Sequence, residues 1–177
     1  ERVRCSLSFT HLHVHTEYSL LDGSNKIKEY VARVKELGMN SAAITDHGVM
    51  FGVIDFYREC KKQGIRPVIG CEVYTAARTL FDKDAERDKR MGHLVLLAKN
   101  NQGYKNLMKI VSEGYRHGFY YKPRIDKNVL RQYHEGLIAL SACLAGEIPH
   151  RLLNGDYEGA KKEALEMLDI FGEGNFY

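Results

Sequence analysis

The sequence predicts an α/β protein whose strands lie largely parallel. Three observations point there. Short apolar runs alternate with helix-spaced segments five times along the chain. The runs are near-continuously apolar, as strands covered on both faces require. Side chains with nitrogen, oxygen or sulfur donors stand where most of these runs stop, the end at which parallel α/β folds gather reactive groups. The pattern leaves open whether the sheet is open or closed into a barrel.

The elements follow in order. Residues 7–14 read as a short strand running into three histidines at alternate positions, His11, His13 and His15. NKIKEYVARVKELG places apolar residues at 27, 31, 34 and 37, one face of a helix, and Gly38 suits its C-terminal cap. SAAITDHG is a buried strand leading into a loop at Gly48. FGVIDFYRECKKQG is helical and stops at Gly64, and RPVIGCEVYTA is a strand rich in Val, Ile and Tyr. ARTLFDKDAERDKRMG is charge-dense and poor in apolar residues, which predicts an exposed, mobile loop. Its DKDAERDKR run reads as solvated surface.

HLVLLAKN is another buried strand and NQGYKNLMKIVSEGYRHG a helix. FYYKPRID reads as a loop with a proline, and KNVLRQYHEG as a short helix. GLIALSACLAGEIP holds a strand ending near Cys143. DYEGAKKEALEMLDIFG is the last helix, stopped by Gly172. GEGNFY looks like a loop entering a new strand, so the chain is expected to stop before the fold closes.

Composition narrows the class. The 177 residues suffice for one domain with a sizeable core. A hydrophobic content of 44% and a charged content of 28% are those of a soluble globular protein. No apolar run is long enough to span a membrane, and the start lacks the apolar core of a signal peptide. The net charge of +3 is too weak to indicate nucleic acid by itself. Cys5, Cys60, Cys71 and Cys143 are scattered without a CxxC pair, which predicts reduced thiols in a cytoplasmic protein. No GxGxxG follows the first strand, so dinucleotide binding loses support.

The strand-end donors suggest chemistry. His13 and His15 lie two apart and point to the same side of an extended strand, where two imidazoles can chelate one cation. His11 shares their parity and reads as support. Asp46 and His47 end the second strand, the third carries Glu72, and the fifth ends near Cys143. His93 is the exception, at the start of its strand. Mixed histidine and carboxylate donors suit zinc, manganese or iron better than magnesium or calcium. Several such ions together form a device for phosphate esters. Each residue also has a plain structural reading: Asp46 as a helix cap, Asp22 as a turn residue, Glu72 as an arginine partner, and His93 and Cys143 as core. Their co-occurrence favours a site, because unpaired buried polar groups cost free energy. YRHGFYYKPRIDK mixes cations with aromatics, the make-up of a single-strand DNA platform or of a solvated loop whose tyrosines pack inward.

The stretches HLHVHTEYSLLDG, AITDHG, FGVIDFYRECKKQGIRPVIGCEVY, HLVLLAKNNQGYKNLMKIVSEGY, GFYYKPRID and GLIALSACLAGEIP run in order over nearly the whole chain. Through them the chain resembles the polymerase and histidinol phosphatase (PHP) domain, in the branch found in the bacterial replicative DNA polymerase III alpha subunit. The resemblance implies a distorted (β/α)7 barrel, TIM-like and truncated here before its last strands, spanning residues 1–177 with polymerase domains downstream. It implies up to three divalent ions, zinc, manganese or iron, on His13, His15, Asp22, His47, Glu72, His93 and Cys143, with Asp46 supporting His47. The family's last two ligands, an Asp-x-His pair, would follow Tyr177. All seven positions covered keep a donor side chain, which favours an intact site.

The leading expectation is therefore a domain of a DNA-directed DNA polymerase that itself hydrolyses phosphodiesters, as a 3′–5′ proofreading exonuclease. Its partners would be DNA, the sliding clamp, a separate exonuclease and the clamp loader. The alternatives are a catalytically silent, metal-stapled scaffold and a stand-alone phosphoesterase.

Overall fold

A computed structural model describes residues 9–177. Cys5 and the beginning of the first expected strand lie outside the described residues. Six helices and six strands follow in the order α1 (Ile27–Glu36), β1 (Ser41–Ile44), α2 (Val53–Gln63), β2 (Arg66–Ala76), β3 (Met91–Ala98), α3 (Asn101–Arg116), β4 (Phe119–Tyr120), β5 (Lys122–Ile125), α4 (Lys127–Tyr133), β6 (Leu137–Leu140), α5 (Glu147–Leu153) and α6 (Tyr157–Phe171). The described histidine segment 9–15 forms no regular strand. It is laid against the end of β1 by Thr45 N–H, which donates to Val14 O at 2.8 Å.

The strands form one sheet in the order β4-β5-β2-β3-β6, with β1 beside the first half of β2. β1 and β5 pair parallel to β2, but β3 is antiparallel to both β2 and β6. The sheet is thus mixed, not largely parallel. The connection from β2 to β3 holds no helix, so the chain turns back beside β2 instead of crossing over to return in the same sense. An apolar run cannot show this, because a strand covered on both faces reads alike in either direction.

Two apolar clusters hold the layers. Ile27, Val31 and Val34 of α1 and Val53, Phe56 and Cys60 of α2 bury against Ala42 and Ile44 of β1. Leu107 and Ile110 of α3, Leu130 of α4 and Met167, Ile170 and Phe171 of α6 pack on Cys71, Val73, Leu96 and Ala139 of the sheet. The helix spacing expected for α1 holds except at Leu37, the C-cap residue, which is exposed. Asn100, Asp126 and Asp156 cap α3, α4 and α6 by accepting backbone N–H groups of the first turn.

Three expectations are corrected. Segment 77–90 is irregular but wired in. Asp88 is buried and takes two hydrogen bonds from Arg78, at 3.0 and 2.6 Å. The fully buried Arg124 donates to Asp82 O at 2.8 Å and to Gly118 O at 3.2 Å. The charge run therefore contains a buried carboxylate and is not all solvated. Second, FYYKPRID is the β4–β5 hairpin, with Tyr121 at its tip at φ 59°. Pro123 is tolerated because β5 meets β2 only from Arg124 onward, so its missing N–H faces only the two-residue β4. Third, the expected element order omits α5, whose seven residues include none that is fully buried and are too few to show an apolar period.

At the chain end, Ala139 N–H donates to Asn175 O at 2.8 Å and Tyr177 N–H to Ala139 O at 3.0 Å, so GEGNFY does lead into an extended segment beside β6. No helix among the described residues is long and apolar enough to cross a membrane.

Candidate metal centre

The sheet's topology brings the donors to one end. β1 and β2 are parallel, so His47, just past β1, bridges to Glu72 of β2. β6 runs antiparallel to β3 and hence in the sense of β2, which carries Cys143 to the same end. β3 runs the other way, so its beginning lies there too. This resolves the position of His93: it stands opposite Tyr74, diagonal to Glu72, which faces Val95. Glu72 is not at the end of its strand, since β2 continues to Ala76.

Glu72 is the hub. Its side chain is 1% exposed and each oxygen faces a different pair of histidines. Oε2 contacts His13 Nε2 and lies 3.3 Å from His15 Nε2. Oε1 lies 3.1 Å from His47 Nδ1 and 2.5 Å from His93 Nδ1. Two sets of donors result, His13–His15–Glu72 and His47–Glu72–His93, each with its ligand atoms within 4.8 Å of one another.

The arrangement fits cations better than a hydrogen-bonded network. His13 Nε2 and His15 Nε2 face each other at 3.2 Å, so when both present lone pairs, as metal ligands do, a positive centre between or beside them relieves their repulsion. Glu72 Oε1 and His47 Nδ1 are buried without a well-aligned hydrogen-bond partner among the described residues. The rings of His15 and His47 stack with centroids 3.9 Å apart.

The remaining expected residues take distinct places. Asp22, 60% exposed, reaches the outer edge of His47, with Oδ2 3.0 Å from Nε2. The exposed Cys143 has its Sγ 3.5 Å from His93 Nδ1. His11 is not brought in; its ring stands edge-on to Phe9 at 4.8 Å. Asp46 does not face the donors. It accepts from Thr16 N–H at 2.6 Å and from the Thr16 and Ser19 hydroxyls at 2.8 Å, tying the histidine segment to the end of β1.

Ser19 is the residue that sequence reasoning missed. Its hydroxyl proton goes to Asp46, while its oxygen accepts His47 N–H at 3.2 Å and lies 3.3 Å from His15 Nδ1. With its proton committed, Ser19 must accept from Nδ1–H of His15, which leaves Nε2 as a free lone pair aimed at the cluster. A serine four residues past a histidine carries no signal of its own. Gly23 closes this loop: a Cβ there would lie 1.8 Å from Thr16 O.

The electrostatics show a buried anion that demands positive charge nearby, from a proton or from an ion. Burial alone would raise the Glu72 carboxyl, but the contacts with His13, His15 and His93 outweigh it and hold it far below the usual carboxylate range. Burial pulls His15 down, and the hydrogen bond and charge of Glu72 overcome this and raise it. The hydrogen bond from His47 lowers Asp22. Burial also pushes the Tyr74 phenol, beside Glu72, up to about 12, so it stays neutral.

The sequence profile of the PHP domain matches residues 11–177. The chain belongs to the PHP family. This PHP domain is 51% identical over 170 residues to the DNA polymerase III subunit alpha of Borreliella burgdorferi, covering 96% of the chain and 15% of that protein. It is 50% identical over 180 residues to the DNA polymerase III subunit alpha of Helicobacter pylori, again covering 96% and 15%. The PHP domain thus spans 15% of the length of these relatives. A solved amidohydrolase from Chromobacterium violaceum overlaps 59% of this chain and 32% of its own at 22% identity and a TM-score of 0.43, too loosely to define the fold.

Proposed function

We propose that this chain is the amino-terminal PHP domain of a bacterial DNA polymerase III alpha subunit and that it hydrolyses phosphodiesters with divalent ions. The observation that carries this reading is the buried Glu72 carboxylate shared between two histidine pairs. A bridging carboxylate of this kind suits ions held close together. His13, His15 and Glu72 would hold one ion, and His47, Glu72 and His93 a second. Asp22 and Cys143 extend the set toward a third, and the donors suit zinc, manganese or iron. Such ions supply Lewis acidity to an attacking water and to the scissile phosphate. Asp46 and Ser19 hold His15 and His47 in place, and Ser19 fixes the proton of His15 on Nδ1.

The relatives support the wider setting. In it the domain is a distorted (β/α)7 barrel completed by later strands, the nucleotidyl-transfer carboxylates belong to domains outside this chain, and the whole protein extends primers with dNTPs. Its substrate is DNA, its partners are the sliding clamp, the clamp loader and a separate exonuclease, and it works in the cytoplasm. The domain's own hydrolysis would remove a misinserted 3′ nucleotide.

One observation favours a second reading, a metal-stapled scaffold. The donors come from the histidine segment, the loop after it, the end of β1, β2 and β3, so bound ions would cross-link separate parts of the chain. The test uses the full-length protein and a His13→Ala/His15→Ala control. Two or three equivalents of metal and shortening of a 3′-mismatched primer, both lost in the control, support hydrolysis. Metal without shortening leaves the scaffold, and no bound metal removes both readings.

A further inference from the structure

The metal centre has an aromatic and cationic shoulder that its ligands do not explain. Lys122, half-buried, holds Nζ 5.7 Å from the ring centre of Tyr74 and pairs with no acidic side chain among the described residues. Tyr74 in turn stands edge-on to His93 at 5.2 Å and parallel to His47 at 6.3 Å. An uncompensated ammonium is therefore two side chains away from the cluster. Next to it, Tyr121 is 73% exposed and occupies the left-handed region. Neither burial nor backbone preference rewards a tyrosine there, where asparagine or glycine is at ease.

The shoulder is firm. Tyr121 packs on Tyr120 at 4.6 Å, and Tyr120 lies over the buried Arg124 guanidinium at 5.0 Å. Phe119, from the same hairpin, is 50% exposed. Flat aromatic faces beside a free cation match a base and its phosphate, and stacking of this kind takes any base.

We infer that the β4–β5 hairpin is a single-strand DNA shelf: a base stacks on Tyr121, and Lys122 takes the adjoining phosphate and steers the strand toward Glu72 and its histidines. This rests on the phosphodiesterase reading for its purpose, but not for its test. Charge complementarity chooses the occupant, since an acidic peptide would satisfy Lys122 yet leave the exposed rings uncovered.

The test is photo-crosslinking of the full-length protein to a single-stranded oligonucleotide carrying 5-iododeoxyuridine, in EDTA, followed by trypsin and mass spectrometry. The adduct is expected on the tryptic peptide of residues 117–124, at Tyr121. Tyr121→Ala should lower its yield at least about fivefold, while Tyr121→Phe keeps it. Lys122→Gln should raise the oligonucleotide concentration for half-maximal adduct about tenfold. Circular dichroism of each variant confirms folding. No adduct on this peptide, or full yield in Tyr121→Ala, overturns the shelf, as does equal competition by a blunt duplex. Because EDTA removes the ions, failure here leaves the metal centre standing. Failure of metal uptake or primer shortening in turn leaves the adduct unchanged.

Discussion

His93 Nδ1 lies 2.5 Å from Glu72 Oε1, and the two meet because β3 runs antiparallel to β2. Had the strands been parallel, the beginning of β3 would lie at the opposite end of the sheet. One carboxylate consequently serves both histidine pairs. Replacing it by its uncharged isostere removes the shared charge while keeping the shape. Glu72→Gln is expected to fold but to lose metal. Metal at a hundred times its dissociation constant should stabilise the unaltered protein by about 2.7 kcal/mol, and the variant by nearly nothing. Thermal melts with and without manganese, checked by calorimetric titration, measure this. A full metal-induced shift in Glu72→Gln would contradict the bridging role.

Ser19 acts through its neighbours. Ser19→Ala leaves Asp46 short of one donor and His15 Nδ1 without its acceptor. The expected cost is about 1–3 kcal/mol of stability and about 10- to 100-fold in metal affinity. Denaturant unfolding reads the first and isothermal titration with zinc the second. Ser19→Thr should recover part of both.

Arg124 organises segment 77–90 by donating to the carbonyls of Asp82 and Leu80 on one side and Gly118 on the other. Arg124→Ala is expected to make this segment susceptible to trypsin at Lys83, Arg87 and Lys89 under conditions where the unaltered protein resists. Timed digestion with mass spectrometry decides it. Rapid cleavage of the unaltered protein at those sites would restore the picture of a loose loop.

Glu166 of α6 accepts from Lys127 Nζ at 2.7 Å and from Arg131 Nη2 at 3.0 Å, linking α4 to α6. Lys127 first, then Arg131, hold its carboxyl below the ordinary value of 4.5. A lowered folded-state pKa contributes stability above the unfolded value, which is lost as pH falls through the folded one. Glu166→Gln is therefore expected to be less stable by about 0.5–1 kcal/mol at pH 7. The gap should stay full down to the ordinary 4.5 and close below it. Melts from pH 2.5 to 7 follow the convergence; a gap that persists at the acid end would show that the loss is not electrostatic.

Gly48 sits at φ 63°, and a Cβ there would lie 2.9 Å from Tyr74 Cε2 and 3.1 Å from Pro123 Cγ. Gly48→Ala is expected to lose about 1–2 kcal/mol from backbone conformation alone. It should also displace Tyr74, visible in its near-ultraviolet circular dichroism. An unchanged melting temperature would show that the turn can relax.

Much was legible along the chain. Helix faces such as Ile27, Val31 and Val34 of α1 repeat at a spacing that only a helix satisfies, and Gly64 marks the stop of α2 because αL is open to glycine. The residues around Glu72 were legible as donor types, whereas His11, with the same parity as His13 and His15, turned outward onto Phe9. Parity names a side only while the segment is a strand, and residues 9–15 are not one.

The sequence by itself determined which donors exist and where the helices and most strands run, and its motifs resemble those of PHP domains. The first two rest on side-chain chemistry and on local periodicities, and the third on stretches that match the family in order, all written in consecutive residues. Only the tertiary structure decided that β3 reverses, that Glu72 stands between two histidine pairs, that Ser19 orients one of them, and that Tyr121 is left in solvent beside Tyr120. Strand direction and side-chain meeting depend on pairings between residues far apart in the chain, and no short stretch of sequence encodes a partner that distant.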